Sequence, residues 1–119
     1  MTTNDILNLD YRKEENKYKI QKVLLKIKPL MKYSDEEQIP IDALEKMIYL
    51  ICKKYKVWIR NITQSPLSSD DGNVWSCQIV DTDSIEIIKE VYGICIYEIF
   101  AKIVIFLWYA KEKSKIKRR

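Results

Sequence analysis

Apolar residues recur at helical spacing in the first half of the chain and alternate in the second. In 16–28, Ile20, Val23, Leu24 and Ile27 fall on one helical face, with Lys17, Lys19, Lys22, Lys26 and Lys28 on the other. Pro29 stops this basic amphipathic helix. Residues 1–15 are polar and read as irregular. A second helix is predicted over 41–55, where Leu44, Met47, Ile48, Ile51 and Tyr55 form one stripe. Pro40 marks its start, and Asp42 with Glu45 offers a start resembling a capping box.

The period then changes. Residues 56–63, 74–80 and 85–92 are rich in β-branched and aromatic side chains and read as strands. In the second of these, Trp75, Cys77 and Ile79 share a face. The segment 64–73 is a long polar loop and 81–84 a turn. Gly93 breaks the pattern before a long helix over 95–113. The expected fold class is α+β, a three-stranded antiparallel sheet with helices packed on it in the order (α)αβββα. The expected organisation is an N-terminal basic helix in 1–31, an αβββα domain in 32–113 and a basic tail in 114–119. The predicted core is Leu44, Ile48, Ile51, Trp75, Ile79, Phe100, Ile103 and Leu107.

The last helix is unusually apolar. From Ile94 to Ala110 only Glu98 and Lys102 are charged. They stand at i, i+4 and define a polar stripe that runs on through Ile105 or Phe106 and Tyr109 to Lys113, opposite the sheet. A membrane span needs about 20 apolar residues, and each central charge costs roughly 2.5–3.5 kcal/mol. No membrane span is therefore expected. The helix is instead expected to be buried on both sides. One side lies on the sheet. The other is covered by the N-terminal helices, by a second copy of the chain or by a partner. Phe106, Trp108 and Tyr109 are the candidate protein-binding residues, because aromatic side chains rimmed by charge mark interfaces.

Composition narrows the chemistry. The chain has no histidine and two glycines. Ser-His-Asp and Cys-His catalysis, His-ligated metals and Gly-rich phosphate loops are excluded. Cys52, Cys77 and Cys95 are odd in number and lack paired spacing, so neither a disulfide framework nor a zinc site is indicated. They fit a reducing cytoplasm, and the N-terminus has no apolar stretch of the signal-peptide kind. Asp70, Asp71, Asp81 and Asp83 read as turn formers. No cofactor and no metal are assigned, and the chain reads as a non-enzyme.

Charge is segregated. Residues 1–32 carry eight basic and four acidic side chains, 33–110 carry seven basic and twelve acidic, and 111–119 carry six basic and one acidic. Basic ends flanking an acidic middle suggest an alternative function. Lys17, Lys22 and Lys26 with Lys115, Lys117, Arg118 and Arg119 are candidate nucleic-acid contacts, and Trp58 and Trp75 are candidates for stacking.

Lysine outnumbers arginine 17 to 4 and isoleucine occurs 19 times, a bias that resembles low-GC bacteria and their phages. Gly93, Cys95 and Glu98 at the opening of the last helix stand in a pattern like G-x-T-x-x-E-A, with cysteine at the threonine position and the final alanine missing. Lys32-Tyr33-Ser34-Asp35, then a helix, then Lys56-Val57-Trp58 precede it. Over 32–110 the chain resembles the phage ABA sandwich domains and, more loosely, HicB-type antitoxins. The resemblance implies a phage or prophage accessory protein with no catalytic residues. The resulting expectation is a small cytoplasmic protein that binds and inhibits a host protein, such as a component of a defence system, and that forms a homodimer through its last helix. Nucleic-acid binding is the alternative.

Overall fold

The structure, a computed structural model, describes residues 2–34, 36–64 and 75–112. The elements run α1 (Thr3–Leu7), α2 (Glu14–Leu25), a 3-10 turn (Lys28–Leu30), α3 (Ile41–Tyr55), β1 (Val57–Gln64), β2 (Trp75–Asp81), β3 (Ile87–Gly93), α4 (Ile96–Leu107) and a π-helical turn (Trp108–Glu112). The α+β class and the three-stranded antiparallel sheet, ordered β1-β2-β3, agree with the sequence reading.

The N-terminus departs from the expected irregular segment. Thr2 and Asp5 form a reciprocal capping box: the Thr2 hydroxyl accepts from the Asp5 amide at 3.2 Å, and the Asp5 carboxylate accepts from the Thr2 amide at 2.9 Å. Two orphan donors are thereby satisfied, and one helical turn forms that buries Ile6 and Leu7. Helix α2 starts at Glu14, where two acidic residues favour the positive end of its dipole. Helix α3 takes Pro40 as N-cap without any side-chain cap, so Asp42 and Glu45 do not form the box read from sequence. Cys95 caps α4 without a side-chain hydrogen bond. The last helix is shorter than 95–113, because α-geometry ends at Leu107 and the π-helical turn follows.

Helix α4 is the centre of the fold. It touches α1, α2 and α3 as well as β2 and β3. Ile99, Ala101, Ile103, Val104, Ile105 and Leu107 are all buried. A helix that is apolar all round is a buried helix, and here the monomer itself supplies the cover. Ile20, Leu24, Ile27 and Leu30, from α2 and the turn after it, belong to the same core as Leu44, Ile51 and Ile79. Of the predicted core, Leu44, Ile51, Ile79, Ile103 and Leu107 are buried, while Ile48, Trp75 and Phe100 are half-buried against it. The expected polar stripe on α4 is corrected. Glu98 and Lys102 do not face solvent but form an ion pair only 2% and 3% exposed.

Strand β1 carries a bulge. Arg60 pairs with Gln78 and Thr63 with Ser76, so Asn61 and Ile62 together oppose one residue. Asn61 takes a positive φ of 56°, which asparagine tolerates well. Strand β3 begins two residues later than read from sequence because Asp81–Ile85 turn the hairpin. The Asp81 carboxylate accepts from the amides of Asp83 at 2.9 Å and Ser84 at 3.0 Å, which hold its pKa below the usual range. Ile85 sits in this turn at φ 60° with its side chain exposed. A β-branched residue in that region is strained, and the left-handed conformation costs roughly 1–2 kcal/mol. Ile85→Asn should therefore stabilise the protein by about 1 kcal/mol. A chemical denaturation midpoint that does not rise would show that the turn carries no such strain.

Candidate functional site

Helices α1 and α2 and the end of α4 enclose a groove of about 610 Å³. Its apolar lining is Ile6 from α1, Val23 from α2, and Ile105 and Tyr109 from α4 and the turn that follows. Its rim is basic. Lys19, Lys22 and Lys26 recur at i, i+3 and i+7 on α2 and all line the groove. Thr2 and Thr3 complete the lining, which holds no carboxylate among the described residues. Apolar floor and cationic rim follow from the sequence locally. The Ile20–Leu24 stripe of α2 turns into the core, Val23 sits at its margin, and the lysines flank it.

The residues singled out from sequence are divided by the fold. Tyr109, Lys22 and Lys26 meet in this groove. Phe106 and Trp108 are half-buried against the core and do not line it. Lys17 lies elsewhere, paired with Glu14 at 3.1 Å and over the Tyr11 ring at 5.4 Å. Lys115, Lys117, Arg118, Arg119 and the loop at 65–73 lie outside the described residues, as do Asp70 and Asp71. Trp58 is exposed on β1, and Trp75 is half-buried, so the two indoles do not form one exposed platform. Ile6 has no helical periodicity around it to mark it as a lining residue. Its one local signal is the Thr2-x-x-Asp5 box, which uses aspartate in place of the usual glutamate.

A smaller cavity of about 360 Å³ lies between the α1–α2 connection and β3, with Lys102 in its lining. Its charged side chains all have hydrogen-bond partners. Arg12 donates to Asp10 at 2.9 Å, which holds the Asp10 carboxyl below the usual range, and Lys89 donates to the Asn4 amide oxygen at 3.1 Å. Lys102 is paired with Glu98 and donates to the carbonyls of Leu9 at 3.2 Å and Tyr92 at 3.5 Å. This is a polar seam that fixes the N-terminal segment to α4 and β3.

Thiol chemistry is disfavoured at two of the cysteines. Burial pushes the Cys77 thiol up to about 12 and the Cys52 thiol up to about 11, so both stay protonated at neutral pH. Among the described residues no group of His, Cys, Asp and Glu side chains is placed to hold a metal, and no helix is long and apolar enough to cross a membrane. No protein-family model matches the chain, and no curated protein or solved structure is significantly similar to it.

Proposed function

We propose that this chain is a non-catalytic protein-binding module whose groove between α1, α2 and α4 takes an acidic, amphipathic segment of a partner protein. The observation that supports this is the lining: an apolar floor of Ile6, Val23, Ile105 and Tyr109 beneath three lysines. An apolar floor desolvates non-polar side chains, and the lysine rim steers and registers the carboxylates beside them. A phosphate backbone would engage the rim and leave the floor without an apolar counterpart, so the groove favours protein over nucleic acid. The resemblance to small phage domains supports a phage or prophage accessory protein that inhibits a host protein in the host cytoplasm. Free cysteines at 52, 77 and 95 suit that reducing compartment.

The reading is tested with a fluorescent helical peptide of leucine and glutamate, its lysine counterpart, and single- and double-stranded DNA. Each is titrated at low and physiological salt. The acidic peptide should bind with micromolar affinity, and Lys22→Glu with Lys26→Glu should weaken it by about tenfold or more. The lysine peptide should not bind. DNA binding that persists at physiological salt, with no acidic-peptide binding, would transfer the function to nucleic acid.

A further inference from the structure

The outer face of the sheet is a second surface, and it shares no residue with the groove. Strand pairing arranges it in three rows. Trp58, Val80 and Ile87 form one, Arg60, Gln78 and Glu90 the next, and Thr63, Ser76 and Tyr92 the third. The alternate positions Ile59, Cys77, Ile79 and Val91 turn inward and pack with the helices. Trp58, Ile87 and Tyr92 in these rows are exposed, and so are Ile62 and Ile88 at the register shifts of β1 and β3. Val80 is fully buried yet stands apart from the main core, in the centre of the apolar row. The middle row is joined by hydrogen bonds. Arg60 Nε donates to Gln78 Oε1 at 3.1 Å, and Gln78 Nε2 donates to Glu90 Oε1 at 3.3 Å. One edge of that row is thus cationic and the other anionic, with a neutral amide between them.

We propose that this face binds a second copy of the chain about a twofold axis running along β2. Such an axis lays β1 over the partner's β3 and keeps every row at its own level. Arg60 then meets the partner's Glu90, Gln78 meets the partner's Gln78, and the exposed Trp58 meets the partner's exposed Ile87. Each contact occurs twice, as an isologous interface requires. A twofold axis across the strands would instead set Arg60 on the partner's Arg60. The charge pattern therefore selects both the occupant and the axis. The resulting sandwich aligns the strands of the two sheets, one of the two standard ways in which sheets pack. The bulge at Asn61–Ile62 interrupts the β1 edge, which discourages edge-to-edge pairing and leaves the face as the contact. Three short strands make a small interface, so a micromolar dissociation constant is expected.

Sedimentation equilibrium of the full chain tests this. The wild type should approach twice its 14.2 kDa mass as concentration rises. Arg60→Glu alone, or Glu90→Arg alone, puts like charges together twice and should weaken the dimer by about tenfold or more. An equimolar mixture of the two variants should recover the dimer. The carboxylate introduced in one chain then meets the guanidinium introduced in the other, while the second contact stays native. Thermal melting checks that each variant folds. If one does not, Arg60→Gln and Glu90→Gln replace the swaps and should each weaken association severalfold. A wild type that stays monomeric through hundreds of micromolar, or a dimer indifferent to these substitutions, overturns the proposal. Acidic-peptide binding, measured on the same variants, should be unchanged, so failure here and failure of the groove reading are told apart.

Discussion

Replacing Lys102 with methionine is expected to cost about 3–5 kcal/mol of folding stability. Methionine matches the lysine stem in length, so the packing changes little and the loss is electrostatic. In the native protein the ammonium is 3% exposed and bonded to the Glu98 carboxylate and to the Leu9 and Tyr92 carbonyls. Without it, the Glu98 charge stays buried with a single remaining donor, the Ile94 amide at 2.7 Å. An uncompensated charge in that position dominates the cost. Removing both charges with Glu98→Leu and Lys102→Met takes a side-chain partner from three backbone groups, at up to roughly 1–3 kcal/mol each. The double variant should still lose less than the two single losses added together. Urea unfolding of the four proteins measures this directly. A single-variant loss under about 1 kcal/mol would mean that water reaches the pair. Because Leu9 follows α1, the same substitution should also speed hydrogen exchange in α1, one wall of the groove.

Gly93→Ala is expected to cost up to about 3 kcal/mol. Gly93 is buried at the end of β3. A Cβ there would lie 2.7 Å from Glu98 Oε1 and 2.8 Å from Cδ. A carboxylate end is ordinarily free to swing aside. This one is not, because one oxygen accepts from Ile94 and the other holds Lys102. The methyl group must therefore displace the whole network. Shortening the acid to alanine removes the obstacle, so Gly93→Ala should be nearly neutral in a Glu98→Ala background. That coupling, read from a thermodynamic cycle, distinguishes a steric cradle from a backbone preference. Equal costs in both backgrounds would refute the cradle.

The sites of these two predictions show how far sequence reasoning reaches. Gly93 before Glu98 is legible as a helix opening, and Glu98 with Lys102 as an i, i+4 pair, and the structure brings Glu98 against both. Their placement is not legible, because a charged pair on a helix normally faces water and this one faces the core. Nothing local marks the carbonyls of Leu9 and Tyr92 as acceptors for Lys102, since they lie 93 and 10 residues away along the chain. A similar separation hides the groove. Lys22, Lys26 and Tyr109 each stand out in the sequence, but for two different functions, and only the packing of α2 on α4 makes them neighbours.

What the sequence determined by itself is therefore the set of elements and their inward faces. The α3 stripe, the alternation in β2 and the apolar run of α4, interrupted only by Glu98 and Lys102, are local patterns, and burial of apolar area follows from them wherever the chain goes. The tertiary structure decided what covers each face. The run in α4 demanded cover on two sides, and α1, α2 and α3 supply it within the monomer on the side away from the sheet. That leaves Trp58 and Ile87 exposed on the outer face of the sheet, on either side of the buried Val80. The physical reason is that periodicity specifies how much of a helix or strand must leave water. Which surface meets it depends on contacts between residues far apart in sequence, and these exist only once the layers have assembled.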